Sequence, residues 1–271
     1  MNFSYKLRCE LAARACEYAK THSLTHSLSY SDGPVVCFEP SDGLRHGNFL
    51  PGSYRTIATN PEWRRRLAKV HTRAHKDLPR RESGRWRELD SCASSDALLM
   101  NIFCYPRLAA NASVALTLGI EPGWTPRFGV PARVPLVNGL CDRTEIDMRL
   151  GSVLVEAKLT EGGFQSAEQG MLQRYRDFFD VFEVERLRQR EGRFQSYQLI
   201  RNILAAYAGQ GSLCVLVDAR RPDLIDAVYA VVSCVRLVEL RTSCAVLTWQ
   251  ELTRVLPVKL RGFLADKYGI D

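Results

Sequence analysis

Three acidic residues and a lysine flank a predicted tight turn, and carboxylates and an amine at this spacing could take part in catalysis. Gly151-Ser152 suits a two-residue β-hairpin loop, and the residues around it alternate between polar and apolar. Counting outward from this loop places Asp147 opposite Glu156, and Glu145 opposite Lys158. Side chains two residues apart in a strand point to the same side. The spacing therefore predicts one sheet face with three acids and a lysine.

Opposed carboxylates on neighbouring strands explain why this face could be reactive. Directly opposed side chains lie about 4.5–5.5 Å apart at Cβ, and like charges at that distance repel. A divalent cation between Asp147 and Glu156 removes the repulsion. Oxygen ligands suit Mg²⁺ or Mn²⁺ better than zinc. Lys158 would then orient or deprotonate a water molecule and neutralise developing charge.

The pattern Asp-x8-Glu-x-Lys on a hairpin resembles the core motif of the PD-(D/E)XK nuclease superfamily, the restriction-endonuclease-like proteins. The resemblance implies that Asp147, Glu156 and the Ala157 carbonyl bind catalytic Mg²⁺ or Mn²⁺, and that Lys158 assists the nucleophile. The proline of the motif's name is absent, since Ile146 precedes Asp147.

The same resemblance implies further catalytic residues, for which the sequence leaves alternatives. A helix before the hairpin often supplies another acid in this superfamily, and Glu88 is the first candidate, with Asp96 and Glu145 as alternatives. Some members also place a glutamine on the helix after the hairpin. Gln169 is the candidate for that position, with Gln165 as its alternative.

Basic residues are concentrated between Asn60 and Asp90. This segment contains ten Lys and Arg residues and five Asp and Glu residues, a net charge of 10 − 5 = +5 within a chain whose net charge is +7. Such a concentration favours a polyanionic partner, although a solvated basic helix fits the segment equally well. The candidate nucleic-acid contacts are Arg64, Arg65, Lys69, Arg73, Lys76, Arg85 and Arg87.

Composition limits the class of protein. The 271 residues contain no apolar run near the ~20 residues that a membrane span requires, and the first residues lack the apolar segment of a signal peptide. We therefore expect a cytoplasmic protein. The nine cysteines include no CxxC pair, which predicts free thiols and neither a zinc site nor an iron–sulfur cluster.

The elements that must position the candidate site predict an α/β protein. Their order is a helix, three strands, a helix and further strands, the αβββαβ series of a restriction-endonuclease-like core with a central mixed sheet flanked by helices. We expect an N-terminal extension at residues 1–84 and a nuclease-like domain at residues 85–271. A capping box at Ser166 and Gln169 predicts an amphipathic helix as far as Phe182, and a last helix is predicted with a kink at Pro257.

These observations predict a Mg²⁺-dependent endonuclease that hydrolyses phosphodiester bonds, with DNA the expected substrate and restriction, defence or repair as its setting. Cutting both strands of a duplex would favour a homodimer, and no membrane contact is expected. The alternative is a catalytically inactive protein of the same fold that binds nucleic acid or a protein partner.

Overall fold

The computed structural model describes residues 2–29, 33–41, 45–70 and 86–271. The chain divides into two compact units. One consists of Met1–Trp124 and Trp249–Asp271, and the other is the continuous segment Thr125–Thr248. The predicted boundary between residues 84 and 85 falls outside the described ranges, so it stays a prediction.

The first unit is mainly helical. Two of its helices begin at a capping side chain: Asn60 accepts hydrogen bonds from the first turn of α3 (Pro61–Arg66), and the Ser94 hydroxyl accepts one from the first turn of α4 (Ser95–Phe103). The elements in chain order are α1 (Phe3–Thr21), β1 (His26–Ser29), β2 (Val35–Phe38), β3 (Pro40–Ser41), β4 (Arg45–His46), α2 (Pro51–Thr59), α3 (Pro61–Arg66), α4 (Ser95–Phe103) and α5 (Ala112–Leu118).

The second unit is built around a five-stranded sheet in the order β14-β13-β9-β8-β5. β13 is parallel to both of its neighbours, whereas β8 is antiparallel to β9 and to β5. The predicted α/β class with a mixed central sheet flanked by helices is confirmed. The strands of this unit are β5 (Arg127–Pro131), β6 (Val134–Pro135), β7 (Cys141–Asp142), β8 (Glu145–Leu150), β9 (Val153–Ala157), β10 (Ser166–Glu168), β11 (Gln189–Arg190), β12 (Arg193–Gln195), β13 (Ser212–Val217) and β14 (Cys244–Thr248).

The predicted amphipathic helix from Ser166 to Phe182 is wrong. Ser166 belongs to β10, which pairs with β12 in a separate three-stranded sheet, and Gly170 weakens the helix that follows. Leu172, Tyr175, Phe178 and Phe182 of this stretch are buried from short helices and turns, whereas Met171 and Phe179 are exposed. The helices of the unit are α6 (Gln169–Leu172), α7 (Phe178–Val181), α8 (Tyr197–Ala208), α9 (Pro222–Val232) and α10 (Val238–Thr242).

The chain ends in two helices of the first unit, α11 (Trp249–Thr253) and α12 (Val258–Tyr268). The prediction of one kinked helix is therefore wrong. Pro257 occupies the N-cap of α12, because proline has no N–H for the helical ladder and disfavours helical geometry in the residue before it. Within the described ranges, no helix is both long and apolar enough to cross a membrane.

One side of the central sheet is packed against α8. Leu154, Leu213 and Val215 of the sheet belong to one buried cluster together with Ile203 and Leu204 of the helix. This packing fixes α8 over β9 and β13, and it therefore determines which helical side chains meet the polar residues of β9.

Candidate active site

The predicted hairpin register is confirmed for the three pairs nearest the turn, whereas β9 ends at Ala157 and the predicted pair of Glu145 with Lys158 is not part of the ladder. β8 and β9 pair at Met148–Val155, Arg149–Leu154 and Leu150–Val153, and Gly151 begins the turn with a φ of 57°. One step further along this register, Asp147 lies opposite Glu156. Because side chains alternate across a strand, Asp147, Arg149, Leu154 and Glu156 belong to one face of the sheet.

Asp147 is half-buried and is fixed by the neighbouring strand. Its Oδ2 accepts a hydrogen bond of 2.8 Å from the Ala157 N–H. The aspartate is thus tied to the peptide unit between Glu156 and Ala157.

Glu156 and Lys158 form a buried ion pair. The Lys158 Nζ lies 2.6 Å from Glu156 Oε1, and the two side chains are 7% and 1% exposed. The ammonium also lies 5.6 Å from the centre of the Phe164 ring, a favourable distance for a cation–π contact. Removing one partner of such a pair would leave an uncompensated buried charge.

Negative charge dominates the surroundings of Lys158. Burial by itself lowers the pKa of Lys158, but the carboxylates of Glu156, Glu161 and Asp147 outweigh it and raise the pKa above its ordinary value. The site therefore holds this lysine as an ammonium.

Asn202 and Arg201 are functional candidates that the sequence analysis missed. The Asn202 amide donates a hydrogen bond of 2.7 Å to Glu156 Oε2. Its Oδ1 accepts hydrogen bonds from the Arg201 guanidinium, which also donates to the Glu145 carbonyl oxygen. Asn202 is completely buried. An asparagine on the apolar face of a helix was the available signal, because a buried amide needs a polar partner.

The polar network continues from Arg201 to the edge of the unit. The guanidinium lies 5.9 Å from the centre of the Tyr197 ring, and the hydroxyls of Tyr197 and Tyr175 are 2.6 Å apart. Tyr175 donates to Asp142. Burial alone would raise the pKa of Asp142, but the hydrogen bonds from Thr144 and Tyr175 outweigh it and lower the pKa.

The strand on the other side of Asp147 carries a glycine at the adjacent position. Gly129 lies between the pairs Phe128–Met148 and Val130–Ile146, and its φ of 61° belongs to the left-handed region. A side chain at this position would be strained. The glycine leaves the neighbourhood of Asp147 without a side chain on the β5 side.

The other candidate catalytic residues lie elsewhere in the chain. Gln169 is exposed at the first residue of α6, and Gln165 has a left-handed φ of 58°. Glu88 and Asp96 belong to the first unit. The Asp96 Oδ2 accepts hydrogen bonds from Arg66 and Lys69, at 2.7 and 3.0 Å. Their catalytic roles stay predictions.

The candidate nucleic-acid contacts fall into three groups. Arg64 and Arg65 are exposed in the last turn of α3. Lys69 is paired with Asp96, and the Arg87 guanidinium donates to the Leu67 carbonyl oxygen. The remaining three, Arg73, Lys76 and Arg85, lie outside the described residues.

The donor atoms at the hairpin fit a hard divalent cation. Asp147, Glu156 and the Ala157 carbonyl provide only oxygen, which is what Mg²⁺ and Mn²⁺ prefer, and the surrounding charge is negative. No group of three or more His, Cys, Asp or Glu side chains suited to a metal occurs in the part of the chain that the structure describes. The main-chain carbonyl and water would therefore have to complete the coordination.

Residues 14–269 match the family REase-ARP, described as "Restriction Endonuclease associating with ARP". Comparisons with curated proteins and with solved structures give no match.

Proposed function

The chain belongs to the REase-ARP family of restriction endonucleases associating with ARP, and from this premise we propose that it is a Mg²⁺-dependent endonuclease of the PD-(D/E)XK type. Its proposed substrate is the phosphodiester backbone of DNA. The observation that carries the proposal is the arrangement of the β8–β9 hairpin. Asp147 accepts a hydrogen bond from Ala157 on the opposite strand, and Glu156 accepts one from Lys158. The family description supplies independent support for a nuclease-like role.

Asp147, Glu156 and the Ala157 carbonyl would hold the cation. When bound, Mg²⁺ supplies Lewis-acid stabilisation of the charge that develops on the phosphate. The Ala157 N–H keeps the Asp147 carboxylate turned toward β9. Asn202 holds one oxygen of Glu156 and Lys158 the other, so the carboxylate cannot rotate away.

Lys158 has the second role in the proposed reaction. Its ammonium is placed by Glu156 and by the Phe164 ring, and it donates hydrogen bonds to the attacking water or to the phosphate oxygens. A positioned cation of this kind stabilises a transition state more than the ground state. Replacement of Lys158 by methionine should therefore reduce kcat by about 10²–10³-fold.

Plasmid cleavage tests the proposal directly. The wild-type chain should cut plasmid DNA with Mg²⁺ and fail to do so with EDTA, and Asp147→Asn and Glu156→Gln should abolish cutting in Mg²⁺. Asp226→Asn, an exposed acid on α9, is the matched control and should cut normally. Cleavage by either hairpin variant would overturn the proposal. Binding without any cleavage by the wild-type chain would instead favour a nuclease-fold protein that only binds nucleic acid.

A protein partner is also part of the proposal. The family description names association with ARP, and we extend that association to this chain. Co-purification of the tagged chain with ARP would support it, and separate elution of the two proteins in size-exclusion chromatography would contradict it.

A further inference from the structure

A cavity of about 300 Å³ opens in the second unit beside the β8–β9 turn. Three arginines line it: Arg127 of β5, Arg133 between β5 and β6, and Arg149 of β8. The other lining residues are small or apolar, apart from Ser152, and no acidic residue contributes to the wall. The cavity is thus a concave site with three positive charges and no internal counter-charge.

The pairing of the strands forces two of these charges together. Arg127 and Arg149 are direct partners in the β5–β8 ladder. Like charges at such a position are unfavourable unless something compensates for them. Among the described residues, none of the three arginines forms an ion pair with a carboxylate. The Arg149 Nε donates instead to the Gly151 carbonyl oxygen, at 2.7 Å, which holds this guanidinium at the turn.

The C-terminal end of α8 opposes an anion here, so its effect has to be compared with that of the arginines. A helix C-terminus carries about half a negative charge. The carbonyl oxygens of Ala205 and Ala206 already accept hydrogen bonds from Gly209 and Gly211, which reduces this effect. Three full positive charges exceed half a negative one, and the cavity favours an anion.

We propose that this cavity binds a phosphate group. Guanidinium groups present paired donors that match the oxygens of a phosphate. Arg149 lies two residues from Asp147 on the same face of the sheet, which is about 7 Å along the strand. A phosphate bound here would therefore be near the one held at the hairpin. The statement that the two phosphates lie near each other rests on the proposed nuclease function. The existence of the anion site does not depend on that function.

Two sources of the phosphate are distinguished by the choice of probe. Binding of a fluorescein-labelled DNA duplex is measured by anisotropy in EDTA, where no cleavage occurs, and binding of inorganic pyrophosphate is measured by calorimetry. Arg149→Gln and Arg127→Gln should each weaken binding of at least one probe about tenfold. If the duplex is the ligand, the slope of log Kd against log salt concentration should fall by about one for each lost contact. If the variants lose affinity for pyrophosphate alone, the ligand of the site is a free phosphate compound.

Arg190→Gln is the matched control. Arg190 lies in β11 and its side chain is 80% exposed, so the substitution removes the same charge from the same unit outside the cavity. Thermal unfolding checks the fold, which removal of one of two opposed arginines should not weaken. Unchanged affinity of the Arg127→Gln, Arg149→Gln double variant for both probes, or failure of the wild-type chain to bind either probe, would overturn the inference.

The two proposals fail in different ways. If Asp147→Asn still cleaves DNA while the arginine variants lose affinity, the catalytic assignment is wrong and the phosphate site is retained. If Asp147→Asn abolishes cleavage while the arginine variants bind normally, the catalytic assignment is retained and the phosphate site is wrong.

Discussion

The buried amide of Asn202 supports the candidate active site through a single side chain. It donates to Glu156 and accepts from Arg201, so it fixes the position of an acid. Removing a buried hydrogen-bond partner costs about 1–3 kcal/mol. The same change frees the Glu156 carboxylate to rotate, which should be visible in catalysis as well as in stability.

We therefore expect Asn202→Leu to lower both the stability of the chain and its rate of catalysis. Its free energy of unfolding in urea should fall by about 1–3 kcal/mol, and its kcat in plasmid cleavage should fall at a temperature where the variant is folded. Asn101→Leu is the control, because Asn101 is also completely buried and makes comparable hydrogen bonds in the first unit. Equal loss of kcat in both variants would show that Asn202 has only a structural role.

Lys267 of α12 gives a prediction about pH. It is buried, and its Nζ donates to the Gly47 carbonyl oxygen and to Asn48 Oδ1. Burial lowers the pKa of Lys267 well below 10.5, its ordinary value. Between the folded pKa and 10.5 the unfolded chain binds more protons than the folded one, so stability should rise with pH across that window.

Lys267→Met should remove this rise, because the variant has no group to protonate on unfolding. Urea unfolding at a series of pH values below 10.5 measures the effect. Lys259→Met changes an exposed lysine on the same helix and should leave the wild-type pH dependence intact. A curve for Lys267→Met parallel to that of the wild-type chain would contradict the assignment.

At the scale of the element, β5 places a glycine beside Asp147 of β8. Gly129→Ala puts a Cβ on a residue with a φ of 61°, at a cost of roughly 1–2 kcal/mol. Relief of that strain would shift β5 against β8 next to Asp147. We expect lower stability and a loss of cleavage that exceeds the unfolded fraction. Both are measured by urea unfolding and plasmid cleavage on the same preparation.

Gly192→Ala is matched to this variant. Gly192 also has a left-handed φ, 73°, in the turn between β11 and β12, and a Cβ there meets nothing within 4 Å. It should lose similar stability and retain its specific activity. If both alanine variants retain full specific activity, Gly129 is required only for the local backbone conformation of β5 and has no influence on Asp147.

The elements also show how far the sequence could predict this structure. The hairpin was predictable because its register depends on a local turn and on alternation with a period of two. The strand that replaces the helix predicted from Ser166 was not predictable. β10 pairs with β12 more than twenty residues away, and such pairing leaves no local pattern in the sequence. The apolar face of α8 indicated that Asn202 is buried, but not that its partner is Glu156, because the two residues meet only after α8 has packed on the sheet.

At the scale of the whole molecule, the net charge of +7 predicts salt-dependent binding to DNA. Each phosphate neutralised by a base contributes about 0.9 to the slope of log affinity against log salt concentration. Arg64, Arg65 and Arg87 are the exposed candidates of the basic segment among the described residues. The Arg87 guanidinium donates to the Leu67 carbonyl oxygen, and the half-buried Lys69 is paired with Asp96. The pair Arg64 and Arg65 is therefore the sharper test of that segment.

We expect the double variant Arg64→Gln, Arg65→Gln to bind every DNA sequence more weakly and to show a slope smaller by up to about two. Contacts with phosphates carry no sequence information, so the ratio of affinities for different duplexes should stay the same. Arg188→Gln, Arg190→Gln removes two charges at exposed residues near β11 and is the control. An unchanged slope in the Arg64, Arg65 variant would show that these residues form a solvated face.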